Sequence, residues 1–322
     1  MSIDECVLHA WAAEAGFYKC ALCDVDSFDD ERILTESQPL LKERSQLRFA
    51  PSEDYEQVRS LAVLLWAYHP AELPDRGYVF VDSYYDASNA AYHASKELEK
   101  RLLDAGCFAK ANVSYPAKRA AVRAGLGVIG KNSLLITPEY GTRVVIILMA
   151  VGIDVSNKEK RVYSPSECAS CGRCISACPT GALSEGGMIH PERCLRNYML
   201  EGIVVPDSVR PMMGRTMIGC DICQRVCPMQ PKLETQCSEA LLLADFVTED
   251  TATFAESVTR LSQRIGKNAA RPQRIRAQAA ILAGNSGNPA FLPVLDVWAQ
   301  SSFDAVAQHA RWAAERIRSE VR

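Results

Sequence analysis

No stretch of this 322-residue chain is apolar for long enough to cross a bilayer. The longest such run, Val144 to Ile153, has ten residues including a glycine, about half of the roughly 20 that a spanning helix needs. The opening residues, Met1-Ser2-Ile3-Asp4-Glu5, lack the basic and apolar regions of a secretory signal, so a cytoplasmic protein without a membrane partner is expected. Charge of one sign is missing too. A net charge of −3 argues against a surface that coats nucleic acid along its whole extent. With 48% hydrophobic and 23% charged residues, the chain is neither disordered nor fibrous. What it has in excess is cysteine, 13 in all. A chain this long needs no disulfide staples, and a reducing compartment disfavours them. Metal ligands, reactive thiols and small core residues are left as their roles.

Composition divides the chain into three expected parts. Residues 1–155 read as an α/β domain. Leu61 to Trp66 and Val144 to Met149 are short, bulky apolar runs of the kind that form buried strands. Between them, Ala87 to Ala105 is helical in pattern, with Lys96, Glu97, Glu99, Lys100 and Arg101 outward, Leu98, Leu102 and Leu103 inward, and Gly106 as the stop. The polar stretch Ser156 to Ser166 predicts a linker. Residues 156–240 form the second part, and eight of the thirteen cysteines crowd into residues 168–227. Residues 241–322 predict helices over 271–283, 290–300 and 303–321, either a HEAT-like α-helical repeat or a plain helical cap. From 257 to 322 there are ten Lys and Arg against four Asp and Glu, whereas residues 1–40 have nine acids against two bases. The basic tail predicts either a surface for a polyanion such as RNA or an ordinary solvated helical face.

The cysteine spacing carries the strongest chemistry. Cys168-x2-Cys171-x2-Cys174-x3-Cys178-Pro179 can wrap three thiolates around one iron–sulfur cube and send the fourth, just before proline, to a second cube. Cys194 and Cys220-x2-Cys223-x3-Cys227-Pro228 supply the other half. The exchange assigns Cys168, Cys171, Cys174 and Cys227 to one [4Fe–4S] cluster, and Cys194, Cys220, Cys223 and Cys178 to the other. Zinc is the competing reading, but its sites use paired knuckles between longer loops, not a triple run closing in Cys-Pro. Cys20-x2-Cys23 predicts a buried pair of small residues rather than a redox pair. Cys6, Cys107 and Cys237 carry no signal.

Gly125-Leu-Gly-Val-Ile-Gly130-Lys131-Asn132 matches G-x-G-x-x-G, but a helical pattern precedes it where a dinucleotide site needs a strand. A bare backbone for close approach by a large group is the remaining expectation, with Lys131 adding charge.

These blocks together resemble the epoxyqueuosine reductase family. They are Ala124 to Asn132, Cys168 to Ala182, Ile218-Gly-Cys-Asp-Ile-Cys-Gln-Arg-Val-Cys-Pro228, and the helical stretches Arg276 to Gly287 and His309 to Ala314. The resemblance runs from about residue 60 to the C-terminus. It implies an α/β domain related to reductive dehalogenases, a two-cluster ferredoxin-like domain, and a cobalamin held between them beside Gly125, Gly127, Gly130, Lys131 and Asn132. It also implies electrons from a flavodoxin- or ferredoxin-type donor, and reduction of an epoxide on a modified tRNA base to give queuosine. One position departs from the pattern. The family has Asp-Ser-x-Pro before its glycine-rich segment, with the acid as proton donor; here Val113 stands at the acid's place in Asn112-Val-Ser-Tyr-Pro116. Tyr115 and His93 are the candidate replacements. Asp82 and Asp86 are read as capping or flanking the next helix. The alternative function is a [4Fe–4S] electron-transfer protein without chemistry of its own.

Overall fold

The computed structural model describes residues 3–36, 46–156, 166–237 and 239–320. The expected linker lies outside the described residues except at its two ends. In chain order the first part holds α1 (Glu5–Glu14), β1 (Lys19–Cys23), β2 (Ser60–Ala67), β3 (Tyr78–Val81) and α2 (Ser83–Asp104). There follow β4 (Ala109–Ala111), α3 (Ala117–Arg123), β5 (Val128–Ile129), β6 (Leu135–Ile136) and β7 (Val144–Val151).

Strands β1, β2, β7 and β4 make one sheet in that order, antiparallel throughout. Both apolar runs lie in it, and helices cover both faces, which is why their sequences do not alternate. Ala62 and Leu64 of β2 join Val145, Ile147 and Met149 of β7 in a core roofed by α1 and α2. Leu61, Val63 and Leu65 point the other way, onto Ala120 and Ala121 of α3 and onto Leu126 and Leu135.

Helix α2 starts where the Asp82 carboxylate accepts the Tyr84 backbone N–H at 3.0 Å. Its inward stripe is Ala91, Ser95, Leu98 and Leu102, spaced three and four apart. Two expectations on this helix need correction. Leu103, one position off the stripe, is exposed, whereas Glu99 is buried and pairs with Lys96 and Lys110. The helix ends before Gly106, as the sequence predicts.

The cysteine segment carries three short helices, Ser166–Ser170, Arg173–Ala177 and Ile222–Arg225, with α4 (Leu195–Glu201) and β8 (Thr216–Ile218) between the last two. After it come β9 (Leu241–Leu242), α5 (Thr251–Ile265), α6 (Pro272–Ser286), α7 (Leu292–Trp298) and α8 (Asp304–Glu320). Pro272 sits in the first turn of α6 and Pro293 in that of α7, where neither breaks a helical hydrogen bond. Strand β3 pairs in parallel with β8 and antiparallel with β9, so a short sheet ties the three stretches together. One hydrophobic core unites Val79, Val81 and Tyr85 with Leu195, Met199 and Met217, and with Leu261, Ile281 and Ile317 of the terminal helices. No helix among the described residues is long and apolar enough to cross a membrane.

Candidate functional site

The two halves of the cysteine segment repeat one local design. Cys174 lies in the helix Arg173–Ala177 and Cys178-Pro179 follows it; Cys223 lies in Ile222–Arg225 and Cys227-Pro228 follows. The two helices pack against each other. Cys178 leaves its helix in extended backbone and Cys227 follows one residue after the end of its own, so each thiol lies beyond its helix.

The result is two sets of four. Cys168, Cys171, Cys174 and Cys227 line one small cavity of about 20 Å³, with Lys131, Asn132 and Ile136. Cys178, Cys194, Cys220 and Cys223 line a second cavity of about 370 Å³. The electrostatic neighbours agree. Burial raises the Cys227 thiol, and the other sulfurs acting on it are those of Cys174, Cys168 and Cys171. Burial pushes Cys220 up to about 12, with Cys194 adding to the rise. Cys223 is raised by burial and then by Cys220, Cys194, Cys174 and Cys178, which places the two sets side by side. Thiols held this high ionise only when a metal replaces their protons. Among the described residues no three potential ligands converge tightly enough for a single metal ion; the thiols line volumes instead.

The larger cavity lies between the first sheet and the cysteine segment. Its wall mixes apolar side chains, such as Ala117, Leu134, Ile146 and Leu183, with Asp82, Tyr84, Lys118, Asn132, Arg196 and Asn197. Polar contacts fix the two sides to each other. Tyr68 and Thr142 hydroxyls both donate to Gln224 Oε1, at 3.1 and 3.2 Å. Arg143, at the start of β7, pairs with Asp221, which also takes Arg225 Nε at 2.8 Å.

The expected cofactor residues divide. The backbone at Gly127 and Gly130 is approached closely by the chain's own β6. A Cβ at Gly127 would stand 2.3 Å from the Ile136 carbonyl oxygen, and one at Gly130 would stand 2.6 Å from Ile136 Cδ1. Gly125 ends α3 at φ +73°. Only Lys131 and Asn132 reach the cavities. Lys131 donates to Glu185 at 2.9 Å. Asn132 is buried between the two volumes; its Oδ1 accepts the Leu134 N–H, while Nδ2 has no protein acceptor. An orphaned buried donor there suits a group that brings acceptors of its own.

Neither candidate proton donor lies at the cavity. Tyr115 is buried on the far side of α3, where its hydroxyl donates to Asp54 at 2.5 Å. Burial and that carboxylate both push its ionisation well above the ordinary range. His93 is exposed on α2, stacked edge-on against Tyr92. Val113 shares the Tyr115 side, lining a separate polar pocket with Arg48 and Asn112. The groups that do face the cavity were legible only as helix caps and surface charges. Asp82 caps α2 but also lines the cavity, and burial raises its carboxyl to about 6. Lys118 and Arg196 belong to helices whose inward faces the sequence alone does not orient.

Cys20 and Cys23 fall on opposite faces of β1, one against each core, as small packing residues would. Asp86 lies within the first turn of α2, not beside the helix, and takes Arg264 Nε and Nη2 at 2.8 and 3.0 Å. The basic tail is partly neutralised by such pairs, including Arg260–Glu239, Arg316–Glu320 and Arg318–Asp296. Lys267, Arg271 and Arg311 remain exposed.

Residues 167–230 match a family model described as a 4Fe-4S double cluster binding domain. The chain is 31% identical over 215 residues to an epoxyqueuosine reductase of Lactococcus garvieae, covering 63% of this chain and 58% of that protein. It is 26% identical over 343 residues to one of Vibrio cholerae, covering 95% and 89%. Matches to the first such relatives span between 28% and 63% of those proteins' own length. A crystal structure of epoxyqueuosine reductase with an epoxyqueuosine-modified tRNA-Tyr stem loop superposes with a TM-score of 0.78 at 23% identity, covering 96% of this chain and 89% of that one. That likeness shows a shared fold. Together with the double-cluster match over residues 167–230, the sequence identities and this fold make the chain similar in sequence and fold to epoxyqueuosine reductases.

Proposed function

We propose that the chain is an iron–sulfur oxidoreductase that removes the oxygen of an epoxide on a modified tRNA base. Two [4Fe–4S] clusters serve it, one held by Cys168, Cys171, Cys174 and Cys227, the other by Cys178, Cys194, Cys220 and Cys223. The observation that carries this reading is that the second thiol set opens onto the 370 Å³ cavity. A pure electron carrier has no use for a substrate-sized space at its inner cluster, so the arrangement favours an enzyme over the electron-transfer alternative.

The cavity also suits a corrinoid. Its apolar wall fits the ring, and Asn132, Asn197, Arg196 and Ser133 offer hydrogen bonds to the amide-bearing rim. A bound corrinoid supplies a strongly reducing, nucleophilic cobalt. The protein's own residues hold that group beside the cluster and keep a charged wall facing the substrate. The tRNA part of the reading draws on the relative bound to a modified stem loop and on Lys267, Arg271 and Arg311 of the HEAT-like helices α5 to α8. A flavodoxin- or ferredoxin-type protein is the proposed electron donor.

Anaerobically prepared protein is expected to contain about eight iron and eight sulfide per chain, to take up added cobalamin with a visible corrinoid spectrum, and to convert an epoxyqueuosine-bearing stem loop under a low-potential reductant. Clusters without corrinoid uptake or turnover would leave the electron-transfer alternative. Stoichiometric zinc without sulfide would overturn both.

A further inference from the structure

We infer that Lys118 is the side chain that delivers protons to the substrate oxygen in this protein, in place of the acid that Val113 displaces. The inference rests on the function proposed above. The sequence loses its carboxylate in the loop before α3, and the structure turns that loop away from the cavity, so no repair within residues 113–115 reaches the reacting space. One turn further on, α3 begins, and its Lys118 lines the cavity.

Three features set Lys118 apart from a surface lysine. Its ammonium is docked, donating to the Ser133 carbonyl at 2.6 Å and to the Ser133 hydroxyl at 3.3 Å. Ser133 makes that docking in a left-handed conformation, φ +59°, which a serine adopts at some cost and which recurs at working sites. No carboxylate among the described residues forms an ion pair with Lys118, so the third N–H is uncommitted on a cavity wall. Its charged neighbours share its sign, Arg119 on its own helix and Arg196 on α4, and with burial, the larger effect, they lower its hold on the proton. The other titratable groups around the cavity are Asp82 and Tyr84 at the start of α2 and the thiols Cys178, Cys194, Cys220 and Cys223.

Reductive removal of an epoxide oxygen breaks two C–O bonds, takes up two electrons and two protons, and releases water. The electrons enter through the clusters from the low-potential donor protein. Lys118 gives a proton to the oxygen as the first C–O bond opens, regains one from solvent, and gives the second as water leaves. A lysine eased below its ordinary range suits this better than an anion-holding role, which would call for a firmly kept charge.

The test uses the cluster-loaded full chain with cobalamin and a modified stem loop. Single-turnover rates between about pH 6 and 10 are compared for the wild type, Lys118→Arg and Lys118→Met, beside iron content, corrinoid uptake and stem-loop affinity. Competitive acetylation with per-lysine mass spectrometry reports the Lys118 amine independently of turnover. Expected are a wild-type rate that falls as pH rises through the Lys118 range, both variants slower by about a hundredfold or more at unchanged iron, corrinoid and stem-loop binding, and acetylation of Lys118 at lower pH than the exposed lysines. Wild-type turnover in either variant overturns the inference while leaving the proposed function standing. So does an ordinary labelling profile, or a loss of turnover that merely follows lost iron or binding. A wild type that loads corrinoid yet never converts the stem loop overturns the proposed function, and this inference with it.

Discussion

Arg143 and Asp221 form a buried ion pair, Nη2 to Oδ2 at 3.3 Å, with side chains 4% and 5% exposed. It joins the first residue before β7 to the residue after Cys220, so it clamps the sheet side of the cavity to the cysteine side. Removing one partner of a buried pair strands the other charge, which commonly costs about 3–5 kcal/mol. Asp221 keeps Arg225 as a second partner, which brings the expected cost of Arg143→Met to the lower end of that range. Urea unfolding should show the loss. Iron retention should fall with it, because Cys220 is displaced along with Asp221.

The crossed thiol sets make complementary predictions. Cys178→Ser and Cys227→Ser should each reduce iron from about eight to about four per chain. Electron paramagnetic resonance of the reduced proteins should then show a different surviving cluster in each variant. If Cys178→Ser instead disturbs the cluster of Cys168, Cys171 and Cys174, ligands are not exchanged and the pairing is local.

His309, in α8, is 1% exposed. Its Nε2 accepts the Val205 backbone N–H at 2.9 Å, so Nδ1 carries the proton and donates to the Ala277 carbonyl at 2.9 Å. Burial pulls its pKa down to about 4 from the ordinary 6.5. The unfolded chain therefore binds this proton more readily, and stability present above pH 6.5 is lost as pH falls towards 4. The full effect is about 3 kcal/mol. His309→Ala should cost stability at pH 7 and should flatten the acid limb between pH 6.5 and 4 in denaturant titrations.

Gly284 in α6 lies against α8. A Cβ there would meet Trp312 Cζ3 at 2.7 Å and Ala313 Cα at 2.8 Å. Alanine improves helix propensity by about 1 kcal/mol, but overpacking typically costs about 1–3 kcal/mol. The backbone neighbour cannot swing aside, so Gly284→Ala should lower the melting temperature by a few degrees. An unchanged or higher Tm would mean that the two helices separate freely.

The sequence by itself determined the elements whose signal is local. Two unbroken apolar runs became β2 and β7, and Gly106 marks the end of α2. The cysteine spacing predicted two sets of four, since Cys-x2-Cys-x2-Cys restricts which thiols can share a small volume. Tertiary structure decided what depends on which way an element faces. Gly127 and Gly130 read as room for a ligand, but β6 fills that room, and hairpin packing over so few residues leaves no pattern. Tyr115 and Lys118 are three residues apart, yet one meets Asp54 and the other the cavity, because the chain turns into α3 between them. Asp82 looked like a helix cap and is one. Only the pairing of β3 with β8, distant in sequence, brings it beside the cysteines as well.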